Sequence, residues 1–494
     1  MYDLLVIGGG INGAGIARDA AGRGLKVLLC EKDDLASHTS SASTKLIHGG
    51  LRYLENYDFG LVRKALIERE VLLQMAPHII WPMRFVLPQD RNIRSPWLVR
   101  LGLFLYDNLG GRKILPGTKV LHRSKSRHLS PLSTKYKKAF EYSDCWVEDS
   151  RLVVLNAVDA AERGADIKTR TKCIGLRAES GAWQANLEND DGTRTEVTAK
   201  AVVNAAGPWV DNVTGLASQR SNSDHVRLVK GSHIIVNSHF EGDQAYIFQN
   251  EDERIIFAIP YENGNFTLIG TTDEAFEGDP QSADISQGEI DYLCDSVNKY
   301  FQKNIAAGDV VATYSGVRPL YDDKSDNVSA VTRDYVLTHI EADEATLISV
   351  YGGKITTYRK LAEDVMDELT DIFPTSNKKW TKTAPLPGGD IPNADFEAFN
   401  KPVSEKYSWM DQDTLHRLIR AYGTRVDQII GTATSVDNLG THYGGGLYQA
   451  EIDYLQQNEF ARTAMDVLYR RSKLYLHISA DQQAALAAAM ENGN

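Results

Sequence analysis

Residues 39 to 55 read TSSASTKLIHGGLRYLE, with five hydroxyl side chains in the six positions from Thr39 to Thr44. Short hydroxyls at this density can satisfy diphosphate and polyol oxygens. Gly49-Gly50 lets backbone approach a flat ring closely. Arg52 presents a planar fork suited to phosphate oxygens, and His48 is a side-chain type that moves protons near neutrality. Upstream, Gly8-Gly9-Gly10-Ile11-Asn12-Gly13 places glycines at 8, 10 and 13. That spacing serves a pyrophosphate: Gly8 for a tight turn, Gly10 for close backbone approach, Gly13 for helix–strand packing. Glu31, about twenty residues further on, can accept hydrogen bonds from a ribose diol and would repel a 2′-phosphate.

These groups need a strand–turn–helix–strand unit. Asp3 to Ile7 is a continuous apolar run, as in a strand buried on both faces. Ile16, Ala17, Ala20 and Ala21 recur at helical spacing, Gly24 ends the helix, and Lys26 to Cys30 is the second strand. Ala201 to Ala205 reads as a strand followed by AGPW, and ISVYGGKITTYRKLAEDVMDEL as strand, Gly-Gly, helix. A helix is expected over 55–75, stopped by Pro77. Residues 225–300 alternate as an antiparallel sheet with an ENGN hairpin. A Pro/Gly-rich stretch near residue 385 precedes a helical C-terminal region.

The chain has 494 residues, 42% hydrophobic and 24% charged, with a net charge of −12. That is an ordinary globular composition of two to four domains, at roughly 100–200 residues each. The negative balance and the lack of a basic run argue against nucleic acid, and any anionic ligand needs a local cation cluster. The four cysteines, 30, 145, 173 and 294, are far apart, without a metal-ligand spacing, and read as buried free thiols. No run approaches the ~20 apolar residues of a spanning helix, and the first residues do not read as a signal peptide. A cytoplasmic location is expected. Pro96, Trp97, Leu98, Leu101, Phe104, Leu105 and Leu109, flanked by Arg94, Arg100, Arg112 and Lys113, form an amphipathic segment within 92–113 that could lie on a membrane surface.

The motifs GGGINGAG, TSSASTKLIHGGLRYLE, APHI, EYSDCWVEDSRLV, NAAGPW, KGSH, GTTD, YSGVRPL, TRDY and GGKITTYRKLAE follow one another along nearly the whole chain. In this it resembles the FAD-dependent glycerol-3-phosphate dehydrogenases, within the D-amino-acid-oxidase-like flavoproteins. The resemblance implies an α/β architecture. A Rossmann-like FAD-binding domain (1–75, 145–220 and 305–385) would carry an inserted antiparallel-sheet cap (76–144 and 221–304) and a C-terminal helical domain (386–494).

It also implies that FAD is held by Gly8, Gly10, Ile11, Asn12, Gly13, Glu31, Thr39, Ser40, Ser43, Lys45, Leu46, His48, Ala206, Gly207, Gly353, Lys354, Ile355 and Thr356. Substrate would meet Arg52, Tyr53, Thr271, Arg318, Arg333 and Lys354. The catalytic set would be Arg318, His48, His233 and Lys354, with no metal; the base is a histidine or water, because an arginine would need a very large pKa shift. The reaction implied is oxidation of sn-glycerol 3-phosphate to dihydroxyacetone phosphate, with hydride passing from C2 to flavin N5 and electrons to ubiquinone. The setting implied is a homodimer, peripheral on the inner face of the cell membrane. Rival readings are an O₂-using glycerol-3-phosphate oxidase, an amine or amino-acid oxidase on the same fold, an NAD-dependent dehydrogenase and a non-enzymatic flavin carrier.

Overall fold

The computed structural model describes residues 1–55, 57–89, 95–217, 226–321 and 334–492. Arg333, Arg94 and the first residues of the 92–113 segment lie outside them. Two sheets dominate. In the first, strand Tyr2–Ile7 lies between two parallel neighbours, Val27–Cys30 and Arg194–Asn204, as the N-terminal unit and the returning strand at 201–205 predict. Asp166–Lys168 extends one side, Ala345–Tyr351 and then Val336–Ala342 the other.

The pleat sends alternate side chains to opposite faces. Leu4 and Val6 pack under the helices Ile11–Gly22, Asp149–Glu162 and Tyr358–Glu368. Leu5 and Ile7 pack on the other face, under the antiparallel pair Thr171–Glu179 and Ala182–Asn189, where Trp183 is fully buried. With both faces covered, the strands need not alternate in hydrophobicity, which is why the first one reads as an unbroken apolar run.

The second sheet forms the roof. Strand Val226–Asn237 lies between Val310–Tyr321 and Phe266–Gly270. Beyond Phe266–Gly270 come Ile255–Tyr261, Ala245–Gln249, Ile80–Pro88, Lys138–Val147 and the short Leu46–Ile47. Helix Gln287–Asn298 covers one face. Helices Phe59–Met75 and Pro96–Leu109 contribute to the core on the other. The helix expected from residue 55 begins at Phe59.

Two boundaries differ from the sequence reading. Val310–Tyr321 pairs along nearly its whole length with Val226–Asn237, and Lys138–Val147 pairs with Ile80–Pro88. Residues 310–321 and 145–147 therefore sit in the roof and not in the flavin-domain segments, because a strand's place is set by its ladder partner. The C-terminal helices, including Phe396–Lys406, Gln412–Tyr422 and Gln449–Asn458, bury a core of their own around Leu415, Ile419 and Leu455. All four cysteines are buried and free.

The turn from the first strand into its helix has no room for side chains. Gly8 has φ +115°, and a Cβ there would lie 2.4 Å from the Ala205 carbonyl oxygen. A Cβ on Gly13 would lie 1.9 Å from the Gly8 carbonyl oxygen. Gly13→Ala must therefore open the turn. The variant is expected to purify with little flavin while keeping its far-ultraviolet circular dichroism, measured against the ratio of visible to 280-nm absorbance of the parent.

Candidate active site

A cavity of about 850 Å³ lies between the two sheets. Gly8, Gly10, Ile11 and Asn12 enter it from the first turn, and Glu31 from the end of the second strand. Thr39, Ser40, Ser43, Leu46, His48 and Tyr53 line it from the hydroxyl-rich segment, and Ala206 and Gly207 from the returning strand. His233, Thr271 and Arg318 come from the roof, and Gly353, Lys354, Ile355 and Thr356 from the second Gly-Gly turn. Gly13, Lys45 and Arg52 are not on this wall. Gly13 is packed beneath the turn, and Arg52 sits on the short helical turn Leu51–Leu54.

The hydroxyls build the loop as well as facing the cavity. Ser40 Oγ accepts from Ile11 N at 3.0 Å, satisfying one of the free N–H groups at the start of helix Ile11–Gly22. Thr39 donates to Val317 O at 2.6 Å, Ser43 donates to Asp149 at 2.8 Å, and Thr44 Oγ lies 3.0 Å from His233 Nε2. Lys45, expected near the cofactor ring, turns away: its Nζ lies 2.9–3.0 Å from both Asp149 oxygens, with both side chains at or below 1% exposure. A buried ammonium needs a carboxylate more than a neutral ring, and Asp149, more than a hundred residues away, supplies it.

At the first turn, Glu31 accepts from Gly9 N at 2.6 Å and from Asp33 N at 2.8 Å. Burial pushes its carboxyl upward, and the two backbone N–H groups oppose that. Beside it, Lys32 Nζ lies 4.4 Å from the Trp209 ring centre and the His38 ring meets the same indole edge-on at 4.5 Å. Neither Trp209 nor His38 was picked out from sequence; the signal available was the indole of AGPW directly after the returning strand.

The roof end holds cations and neutral imidazoles. Arg318 NH2 lies 3.1 Å from Asp273 and 3.3 Å from Thr272 O. Lys354 Nζ sits 3.7 Å from the Tyr53 ring centre. His48 is held neutral, its pKa lowered to about 4 by burial and then by Lys354 and Arg69. His233 is driven well below its usual range by burial, Lys45 and Arg318, and its ring stacks on Tyr314 at 4.7 Å. Neutral imidazoles can accept a proton.

The cavity suits a dinucleotide with an extended ring system. Its first end carries the side-chain-free turn and the buried Glu31 carboxyl. Midway, Asn12 donates to Gly352 O at 3.1 Å, and its buried Oδ1 has no hydrogen-bond partner among the described residues, a polar atom suited to a cofactor donor.

The comparisons agree. Residues 3–359 match the family described as FAD dependent oxidoreductase, and residues 379–492 match the C-terminal domain of alpha-glycerophosphate oxidase. The chain belongs to the FAD-dependent oxidoreductases, in the glycerol-3-phosphate dehydrogenase family, and FAD is its cofactor. It is 54% identical over 493 residues to D-erythritol 1-phosphate dehydrogenase of Brucella abortus, covering 100% of this chain and 98% of that one. It is 51% identical over 493 residues to glycerol-3-phosphate dehydrogenase of Pseudomonas aeruginosa, covering 100% and 95%. The crystal structure of glycerol-3-phosphate dehydrogenase from Bacillus halodurans with FAD superposes with a TM-score of 0.78 at 28% identity, covering 100% of this chain and 94% of that one.

The His48 environment has a pH signature. An unfolded chain protonates this histidine near pH 6.5, whereas the folded protein does so only near pH 4. The stability this contributes is complete above about pH 6.5 and is lost as pH falls towards 4. In denaturant unfolding of flavin-free protein at pH 7 and pH 5, His48→Asn is expected to lose about 2 kcal/mol less than the parent.

Proposed function

We propose that this protein oxidises a polyol phosphate at the secondary carbinol next to the phosphate-bearing carbon, with sn-glycerol 3-phosphate as substrate and dihydroxyacetone phosphate as product. The observation that carries this is the gathering of Arg318 and Lys354 with two neutral imidazoles, His48 and His233, on the wall of the FAD cavity. The bound cofactor would supply a two-electron acceptor for the C2 hydrogen. Arg318 and Lys354 hold the anion, with Thr271 and Tyr53 beside them. His48 or His233, or water beside them, accepts the hydroxyl proton. An amino-acid oxidase would pair one arginine with a carboxylate, and the second cation, Lys354, speaks against that reading. Electrons then pass to a quinone.

A second substrate has a specific observation behind it. The relative at 54% identity is named for D-erythritol 1-phosphate, which shares the carbinol beside the phosphate ester and is longer by one CHOH unit.

Anaerobic addition of sn-glycerol 3-phosphate is expected to bleach the flavin band, while glycerol and D-alanine leave it unchanged. Faster bleaching by D-erythritol 1-phosphate at equal concentration would transfer the assignment to the tetritol phosphate. No bleaching by either would remove the polyol-phosphate reading. Arg318→Met should lower kcat/KM by about a hundredfold, the scale of removing one charge from a desolvated anion contact.

The same reading places the protein on the inner face of the cell membrane. Helix Pro96–Leu109 turns Leu103 and Tyr106 into the roof core and leaves Trp97 68% and Phe104 62% exposed, with Leu98, Leu101 and Arg100 also outward. An apolar stripe with cations beside it suits an anionic lipid surface. No helix among the described residues is long and apolar enough to cross a membrane. In flotation with vesicles containing anionic lipid, the parent should rise with the lipid and Trp97→Ser/Phe104→Ser should remain at the bottom; equal flotation of both would sink the assignment.

A further inference from the structure

Glu31, Lys32, Ala36, Ser37 and His38 line the end of the cavity that carries the ribose acid, yet they lie on an irregular loop. The loop is tied to its own domain by the Glu31 carboxylate on Gly9 N, by Ala36 N to Gly9 O at 3.1 Å, by Glu31 N to Lys168 O at 2.9 Å and Thr171 N to Glu31 O at 2.7 Å, and by Lys32 and His38 against the Trp209 ring. Asp34, at the loop's centre, faces the other way. Its side chain is 1% exposed and meets two arginines of the C-terminal domain. Arg470 Nε donates to Oδ2 at 2.6 Å, and Arg471 donates through NH1 to Oδ2 at 2.5 Å and through NH2 to Oδ1 at 2.8 Å. Arg471 is itself 0% exposed and also donates to the Glu459 carbonyl at 2.8 Å.

A second tie runs in parallel. Asp33 O accepts from Arg170 N at 2.8 Å. The Arg170 guanidinium reaches Asp466 at 2.7 Å, and Arg470 reaches the same carboxylate at 2.5 Å. One short segment, Asp466 to Arg471, thus holds Asp34 directly and reaches Asp33 only through Arg170 of the FAD-binding domain.

We infer that the C-terminal domain completes the cofactor site, with Arg470 and Arg471 acting through Asp34 as positioning residues for the loop that receives the adenosine end of FAD. Removing one partner of a buried charge pair leaves the other uncompensated, so the loop must rearrange to rehydrate it. A loop that holds its binding shape only part of the time weakens apparent affinity by that fraction. The loss then falls on FAD affinity and goes beyond what weaker domain docking alone would cause.

The control is another buried pair across the same boundary. Arg151 and Glu459 are 3% and 1% exposed and are hydrogen-bonded at 2.9 Å through Arg151 NH2; their side chains do not touch the loop, and Glu459 meets Arg471 only through its backbone carbonyl, which Glu459→Gln leaves in place. The measurement is the FAD dissociation constant of flavin-stripped full-length protein, by quenching of flavin fluorescence, alongside the Tm of each apoprotein. Asp34→Asn is expected to raise the Kd about tenfold or more. Arg470→Gln, at a side chain 15% exposed and so the safer variant for folding, should raise it by a smaller factor. Glu459→Gln should lower the apoprotein Tm as Asp34→Asn does, yet leave the Kd within about twofold of the parent. The inference is overturned if Asp34→Asn and Arg470→Gln bind FAD as the parent does. It is equally overturned if Glu459→Gln weakens FAD as much as they do, since the arginines would then serve only to dock the domain.

Discussion

The architecture depends on one close approach: backbone against backbone, at a turn where side chains have no room. Gly8 abuts the Ala205 carbonyl and Gly13 the Gly8 carbonyl, so the ends of two adjacent parallel strands and the start of a helix meet within van der Waals contact. That contact fixes the N-terminal end of helix Ile11–Gly22 at the cavity wall. It requires the parallel order in which Tyr2–Ile7 lies between Val27–Cys30 and Arg194–Asn204, because only then do Glu31 and Ala206-Gly207 flank the same turn. Parallel strands in turn need crossovers and covering layers on both faces, which the three helices and the antiparallel pair around Trp183 provide.

Charge in this molecule is local. The chain as a whole is acidic at −12, yet the cavity collects Lys32, Arg318 and Lys354 on its wall. Burial, and then the cations beside them, disfavour a positive charge on His48 and His233, so both imidazoles stay neutral. Lys45 helps depress His233 without entering the cavity. Its pairing with Asp149, and the bond from Ser43 to the same carboxylate, anchor the hydroxyl-rich loop from behind. The loop is therefore positioned by buried electrostatics on one side and free to meet a ligand on the other.

The roof sheet brings distant chain segments to that same volume. His233, Thr271 and Arg318 come from three antiparallel neighbours of a sheet whose one parallel pairing among the described residues, Ala245–Gln249 with Ile80–Pro88, lies further out; Val226–Asn237 pairs both with Phe266–Gly270, which Thr271 follows, and with Val310–Tyr321. The register sets His233 opposite Tyr314, whose ring stacks on the imidazole and whose hydroxyl donates to Ser43 O at 2.9 Å. The chemistry at the cavity's far end is thus tied to the same loop that begins at the nucleotide turn.

The glycine turn, its strand and helix, the acid at the end of the second strand and the second Gly-Gly turn were legible in sequence. Each depends on residues within a few positions of one another, where glycine spacing and apolar periodicity act directly on the backbone. The cations of the cavity wall were legible only as types. Arg318 reaches the cavity because its strand pairs in the roof, whereas Lys45 and Arg52, closer in sequence to the turn, do not. The partners that decided this lie far along the chain: Asp149 for Lys45, and Arg470 and Arg471 for Asp34. Sequence determined where the backbone must pack without side chains, because that is a matter of local sterics. Tertiary structure decided where each charge points, because a buried charge goes to whichever opposite charge the fold brings to it.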